Sequence, residues 1–388
     1  GKDGETANCY LAHKAGTVYK FDATVKGNGA VTAAYNANGQ NAPAIDGTQT
    51  LSPVSAKVLW ETGSKGSVIA DGSLKVDNKG YVYFTTAGDK GSDIAEGNAL
   101  IGVFSGADGS GTLLWSWHVW ATDYDPEGEN ASVELNGYTM MTRNLGALAN
   151  GNATTSEILA SYGLYYQWGR KDPFIGPSTY KISSGQGAAM YNDSGSRTYV
   201  TMVASSAETG TMDYAVKHPL TFVTGVAESN NDWLWSKSDA GWSSDGDAGA
   251  KSVNDPCPYG WRVAPSAAFA GLEIVGTPAA GDEEKFGWTL TDGKAESFFM
   301  GGGRRRYDDG KIQNIYIPKD EAKMKLYTRA DIAQPWEGLY WTTAVNGTQS
   351  HALHFWYEKL TGTGGIAPAE AYVRANGMQV RCVKVKNL

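Results

Sequence analysis

The sequence predicts a two-domain protein: an all-β sandwich over residues 1–125, a linker over 126–137 and an α+β domain rich in long loops over 138–388. Three observations lead there. At 388 residues the chain exceeds what one ordinary core organises, so two domains of ~100–250 residues are expected. Its 49 glycines recur at short intervals and not in one tract, which suits short strands and turns better than long helices. Residues 1–125 hold 9 Lys and no Arg against 13 acidic residues, and the first arginine is Arg143, so composition steps between 125 and 140.

Seven strand candidates fill the first domain: "ANCYLAH" (7–13), "TVYKFDATV" (17–25), "SAKVLWET" (55–62), "SVIADGSLKV" (67–76), "GYVYFTT" (80–86), "NALIGVF" (98–104) and "TLLWSWHVW" (112–120). Several alternate apolar with polar residues, and "DG", "NKG" and "GADGSG" supply the turns, as an antiparallel sandwich requires. In the last strand, alternation sends Trp115, Trp117 and Val119 to one face, suited to the sandwich core. His118 and Trp120 go to the other, towards the linker or the second domain. Three rings on one face, as a sugar platform there would need, are not available.

The segment 121–137 is polar and holds Pro126, hence the linker. Beyond it, "TTSEILASYGLYYQWGRK" (154–171) predicts a helix capped by Thr155 or Ser156, with Ile158, Tyr162 and Tyr165 on one face. "PSAAFAGLEIVG" (265–276) predicts a second, with Pro265 near its start, Ser266 as N-cap and Gly276 past its end. Between them, 175–256 is Gly/Ser/Asp-rich with scattered apolar anchors. "SFFMGGGRRRY" (297–307) and "KIQNIYI" (311–317) read as a hairpin around "DDG", and "GLYWTTAV", "SHALHFWYE" and "MQVRCVKVK" as terminal strands.

Composition narrows function. Charged residues at 19% and aromatics at 11% describe a folded protein, not a disordered one. Net charge is −8 and "RRR" (304–306) is the largest basic cluster, which argues against nucleic acid as a partner. No apolar run approaches the ~20 residues of a membrane-spanning helix. Cys9, Cys257 and Cys382 lack metal-ligand spacing. No Ser/His/Asp set with a nucleophile elbow occurs, and no Gly-rich phosphate loop follows a strand. No cofactor and no metal are therefore expected.

Two ordered sets of strings carry a family resemblance. "ANCYLA", "VKGNG", "VLWET", "EGNALIGVF" and "LLWSWHVW" resemble the immunoglobulin-like module of Bacteroidales surface and fimbrial-tip-type proteins. "MMTRNLGA" (140–147), "YGLYYQWGRKDPF" (162–174), "DPCPYGWRV" (255–263), "GGGRRRYDDGKI" (301–312), "LYWTT" (339–343) and "GMQVRCVKV" (377–385) resemble the FISUMP-type domain that follows it. The resemblance implies an immunoglobulin-like sandwich followed by a C-type-lectin-like domain related in fold to formylglycine-generating enzymes. It also implies export to the outer-membrane surface, often as a lipoprotein, and a non-enzymatic adhesive or glycan-binding role. The partners would be a glycan, a host or bacterial surface protein, or pilus subunits. The opening "GKDGETANCY" has no signal-peptide pattern, so export calls for a targeting segment upstream of Gly1. Two departures stand out: Ala264 interrupts the family's "GWRVPS", and "QPW" (334–336) replaces the calcium-ligating triplet of lectins.

Candidate site residues follow. Cys257 and Cys382 are read as facing each other, as buried thiols or as a disulfide; the oxidising compartment that the resemblance implies favours the disulfide, which would contribute ~4–5 kcal/mol. A catalytic thiol needs an accessible, electropositive setting, which "DPCPYGW" and the strand around Cys382 do not suggest. His351 and His354, three apart in a strand, fall on opposite faces and do not make a zinc pair. Asp308 and Asp309 are explained by the turn at Gly310, and Asp245 and Asp247 begin a calcium-like loop without its closing glutamate. In "RRRY", Arg305 with Tyr307 is a candidate contact for an anion or uronic acid, against ordinary cross-strand charge pairing. Trp261, Trp341 and Trp356 read as core. Trp336, flanked by Gln334 and Glu337, is the candidate stacking face for a sugar, against simple anchoring of the loop. The alternatives to adhesion are a structural pilus assembly subunit and a formylglycine-generating-enzyme-like oxidase.

Overall fold

Frequent glycines and alternating strands yield a mostly β molecule, with 40% strand and 8% helix among the described residues. The computed structural model describes residues 5–29, 50–178, 187–239, 241–242, 251–313, 336–359 and 361–385.

The N-terminal strands are β1 (Cys9–Ala12), β2 (Val18–Asp22), β3 (Ser55–Thr62), β4 (Lys75–Val76), β5 (Tyr81–Thr85), β6 (Gly97–Phe104) and β7 (Leu113–Ala121). A small sheet, β2-β5-β4, faces a large one that begins β1-β7-β6-β3. Pairing is not wholly antiparallel as expected, because β1 runs parallel to β7. The predicted strand 67–76 shrinks to two residues for a local reason. The buried Glu61 carboxylate accepts the backbone N–H groups of Gly66, Val68 and Ile69 at 2.6, 2.8 and 3.1 Å, in place of a strand ladder. Between the sheets lie Phe21, Val82 and Phe84 from one side and Ile101, Trp115, Trp117 and Val119 from the other.

The expected linker is partly a strand. Ser132–Leu135 forms β8 and pairs with β9 (Tyr138–Met141), so its polar residues lie on a sheet edge and do not span a gap. Helix α1 (Thr155–Ser161) is capped one residue earlier than predicted, Thr154 accepting from the Glu157 N–H. It also ends ten residues early, because Gly163 takes φ +72° where a side chain would collide with Asn144 and the Leu145 carbonyl. Tyr165 instead bridges to Phe174, and β10 (Tyr166–Gln167) follows.

The glycine-rich stretch holds β11 (Met190–Tyr191), β12 (Arg197–Thr198), β13 (Thr201–Ala204), α2 (Met212–Lys217) and β14 (Thr221–Thr224). Strands β11 and β12 extend the large sheet beyond β3. After β15 (Trp261–Val263), the predicted helix 265–276 is a single 3-10 turn, Ser266–Ala268, followed by β16 (Glu273–Ile274). Helix propagation fails because Asn136 Nδ2 takes the Ala268 and Ala270 carbonyls and Gly271 adopts φ +69°. The expected hairpin around "DDG" forms in its inner part, while the start of its first run pairs elsewhere. β17 (Gly287–Thr291) pairs with β18 (Glu296–Met300), while β19 (Arg304–Arg305) pairs with β20 (Ile312–Gln313); residues 314–317 lie outside the described residues.

Three long strands close the fold: β21 (Trp336–Asn346), β22 (Gln349–Glu358) and β23 (Thr363–Val373), an antiparallel sheet in that order. Then come β24 (Gly377–Met378) and β25 (Cys382–Lys384). One core lies beneath β21 and β22, with Trp336, Tyr340, Leu353, Phe355 and Tyr357 against Trp288 and Phe299. Another joins both ends of the chain: Trp60, Leu100 and Trp120 from the large sheet pack with Leu145, Leu164, Trp168 and Trp341. The large sheet is thus a middle layer, buried on both faces.

Candidate functional site

The sheet β21–β23 positions the best-developed polar cluster among the described residues. Side chains alternate along a strand, so the apolar face (Trp336, Tyr340, Phe355) leaves Glu337 on the other, opposite Trp356 in register. His354 and Trp356 share that second face, and β23 adds Glu370 and Tyr372, opposite Ala352 and Ser350. Gly303 donates its N–H to the Glu337 carbonyl at 2.7 Å, which brings Arg304 alongside.

The imidazole of His354 is the centre. Its Nδ1 lies 2.6 Å from Glu370 Oε2 and its Nε2 3.2 Å from Glu337 Oε2. Burial alone would lower its pKa, but the two carboxylates outweigh burial and push it up to about 9, so the ring is a cation at neutral pH. The bond from His354 in turn holds the Glu370 carboxyl below its ordinary value. Arg304 Nε is 3.6 Å from Glu337 Oε1, and its guanidinium lies 5.7 Å from the Tyr372 ring centroid. Two cations face two carboxylates. Glu337 and His354 are buried, while the Glu370 side chain is 45% exposed and the Arg304 side chain 26%. The carboxylates approach different nitrogens of His354 and do not converge on one centre; among the described residues no group of His, Cys, Asp and Glu could hold a metal ion.

Aromatic rings frame the cluster. Trp356 lies 4.8 Å from the His354 ring and Tyr372 stands edge-on at 5.8 Å. A Cβ added at Gly365 would fall 2.3 Å from Trp356 Cζ2 and 2.7 and 2.8 Å from Cη2 and Cε2, so the indole lies across the bare glycine. It is half-buried, which leaves part of the ring to solvent.

The expected site residues distribute otherwise. Trp336 is buried, with Nε1 donating to the Glu283 carbonyl at 3.0 Å and its ring packed on Trp288 and Tyr357, so it offers no stacking face. It cannot line one surface with Glu337, because adjacent strand residues point to opposite faces. Gln334, like Asp245 and Asp247, lies outside the described residues. Arg305 is buried and donates to the Gly310 and Ile175 carbonyls, both at 2.8 Å; the arginine at the cluster is its neighbour Arg304. Tyr307 packs instead against a separate apolar cluster that includes Val223, Trp233 and Ala375. Trp356, expected in the core, is only partly buried at the edge of the cluster, and the sequence pattern does not mark Arg304, His354, Glu370 or Tyr372 as ligand contacts. Period-two alternation in "SHALHFWYE" groups His354 with Trp356, and in "PWEGLYW" it separates Glu337 from Trp336; the register of the two strands brings Glu337 to the other two. Nothing in the Gly/Ala/Pro-rich β23 signals its partnership.

Cys257 and Cys382 form a buried disulfide across 125 residues. Asp255 organises the turn before it, accepting the Cys257 and Val263 N–H groups at 2.8 and 2.9 Å. Cys9 is a buried thiol whose pKa burial pushes up. A second constellation resembles nucleophile chemistry: Lys171 Nζ is 2.6 Å from both Ser116 Oγ and Asp172 Oδ1, and Ser116 Oγ donates to Asp172 at 2.5 Å. Burial lowers the Lys171 pKa to about 8. All three side chains are enclosed between the large sheet and the second half of the chain, closed to any substrate.

No protein-family model, no curated protein and no solved structure matches the chain.

Proposed function

We propose that the protein is a non-enzymatic cell-surface adhesin that binds glycans through the β22–β23 face, as a fimbrial tip component or an outer-membrane lipoprotein. In this reading the N-terminal sheets are an immunoglobulin-like module and the remainder a C-type-lectin-like domain, on the strength of the ordered motif strings. The observation that carries the glycan assignment is the Trp356 indole lying across Gly365 and against the His354 ring that fixes a half-exposed Glu370 carboxylate. An aromatic face next to a charge-assisted acceptor is what a sugar ring requires: C–H groups for the ring, hydroxyl donors for the carboxylate. The oxidase alternative draws no support from the cysteines, two of which are bonded together and the third buried.

The test is a glycan array with the purified chain and its Trp356→Ala variant. Binding that the variant loses at least tenfold, with an unchanged melting temperature, supports the proposal. Silence across a broad array of host and bacterial glycans overturns it. Self-association through the exposed Val18, Val54, Tyr199 and Met202 would then favour the assembly-subunit reading.

A further inference from the structure

The charge arrangement at the β22–β23 face goes further, given the glycan-binding reading on which it rests. Both cations of the cluster already face carboxylates: His354 lies between Glu337 and Glu370, and Arg304 lies against Glu337 with its guanidinium over Tyr372. The charge that remains open to solvent in largest part is negative, the Glu370 carboxylate, with a 45% exposed side chain. His354 fixes that group at 2.6 Å and Tyr372 hydrogen-bonds to it as well, so the half-exposed carboxylate is held in a set orientation. On the His354 ring, 4.8 Å away, lies Trp356, and the missing side chain at Gly365 lets its indole lie low on the sheet.

We propose that this face selects neutral pyranosides over acidic ones, the ring's C–H face on Trp356 and a pair of adjacent hydroxyls donating to the Glu370 carboxylate. A hydroxyl donating to an ionised carboxylate makes a short, strong hydrogen bond. A uronic or sialic acid would set its own carboxylate against Glu370 and find each cation already engaged, so like-charge repulsion works against it. The arginine run, which in the sequence suggests a uronic-acid contact, therefore serves the opposite preference: Arg304 neutralises Glu337 inside the cluster, and Arg305 holds backbone carbonyls. Gly365 is a positioning residue that acts through the indole.

The test titrates the purified chain with methyl glucoside, methyl galactoside and methyl mannoside, then with glucuronic and galacturonic acid. Tryptophan fluorescence and saturation-transfer NMR report binding. The expected result is at least tenfold tighter binding of a neutral sugar than of its uronic counterpart. Glu370→Gln should weaken the neutral sugar about tenfold and reduce the discrimination to within threefold. Gly365→Val should weaken both classes alike, because it displaces the ring and leaves the charges in place; near-ultraviolet circular dichroism checks that each variant is folded. Equal or tighter binding of the uronic acids, or discrimination that survives Glu370→Gln, overturns the inference and leaves glycan binding standing. Absence of binding by every sugar of both classes overturns both.

Discussion

His354 carries a charge that its surroundings create. Its folded pKa, about 9, lies above the ordinary 6.5, so its pairing with Glu337 and Glu370 contributes fully below pH 6.5 and is lost as pH rises through 9. We expect His354→Gln to cost on the order of 2 kcal/mol at pH 6 and almost nothing at pH 10, read from urea unfolding midpoints of variant and wild type at each pH. A difference that persists unchanged at pH 10 would count against the cation. The two tryptophans of this sheet give a paired prediction. Trp336→Ala empties a packed core and should cost about 3–5 kcal/mol, whereas Trp356→Ala, at a partly buried position, should cost markedly less in the same thermal melts.

At the scale of elements, the disulfide and the β15–β25 pairing reinforce one another. Val263 pairs with Cys382 in register, and Lys251 Nζ gathers the Cys257, Pro258 and Trp261 carbonyls at 2.7, 2.6 and 2.5 Å, so the "DPCPYGW" turn arrives at β25 already shaped. The bond closes a loop of 125 residues, and its loss leaves the unfolded chain far freer. Replacing both cysteines by alanine should lower stability by about 2–5 kcal/mol in denaturant titration. No change would mean that the hydrogen bonds of the turn suffice alone.

For the molecule as a whole, the middle position of the large sheet matters most. One face packs on β2, β5 and β4, and the other presents Trp60, Leu100 and Trp120 to the second half of the chain. Asn98 continues this junction, its Oδ1 accepting from His118 Nε2 (2.8 Å) and its Nδ2 donating to the Gly146 carbonyl (2.9 Å). Lys171 and Asp172 are buried in the same junction, and removing one partner leaves the other charge unpaired. Lys171→Met should therefore destabilise by about 3–5 kcal/mol, seen as a lowered unfolding midpoint of the full chain. Residues 1–125 expressed alone should bind a hydrophobic dye and self-associate, since three large side chains lose their cover. A monomeric, dye-silent fragment would overturn that.

What the sequence by itself determined is local. Except at 67–76, strand positions in the N-terminal half followed from the sequence pattern, as did the division of β7 into a face with Trp115 and Trp117 and a face with Trp120. Helix lengths did not follow, because Asn136, Gly163 and Gly271 stop α1 and the 265–276 turn through partners or angles set by distant chain. The candidate site was legible only in fragments. Alternation separates Trp336 from Glu337 and groups His354 with Trp356, but which face is core depends on Trp288 and Phe299 arriving from another sheet. That Glu370 and Tyr372 join His354, and that a glycine lies beneath Trp356, was decided by the register of β22 against β23 across a bulge. Register is a property of two strands held together by tertiary packing, and neither strand's residues specify it alone.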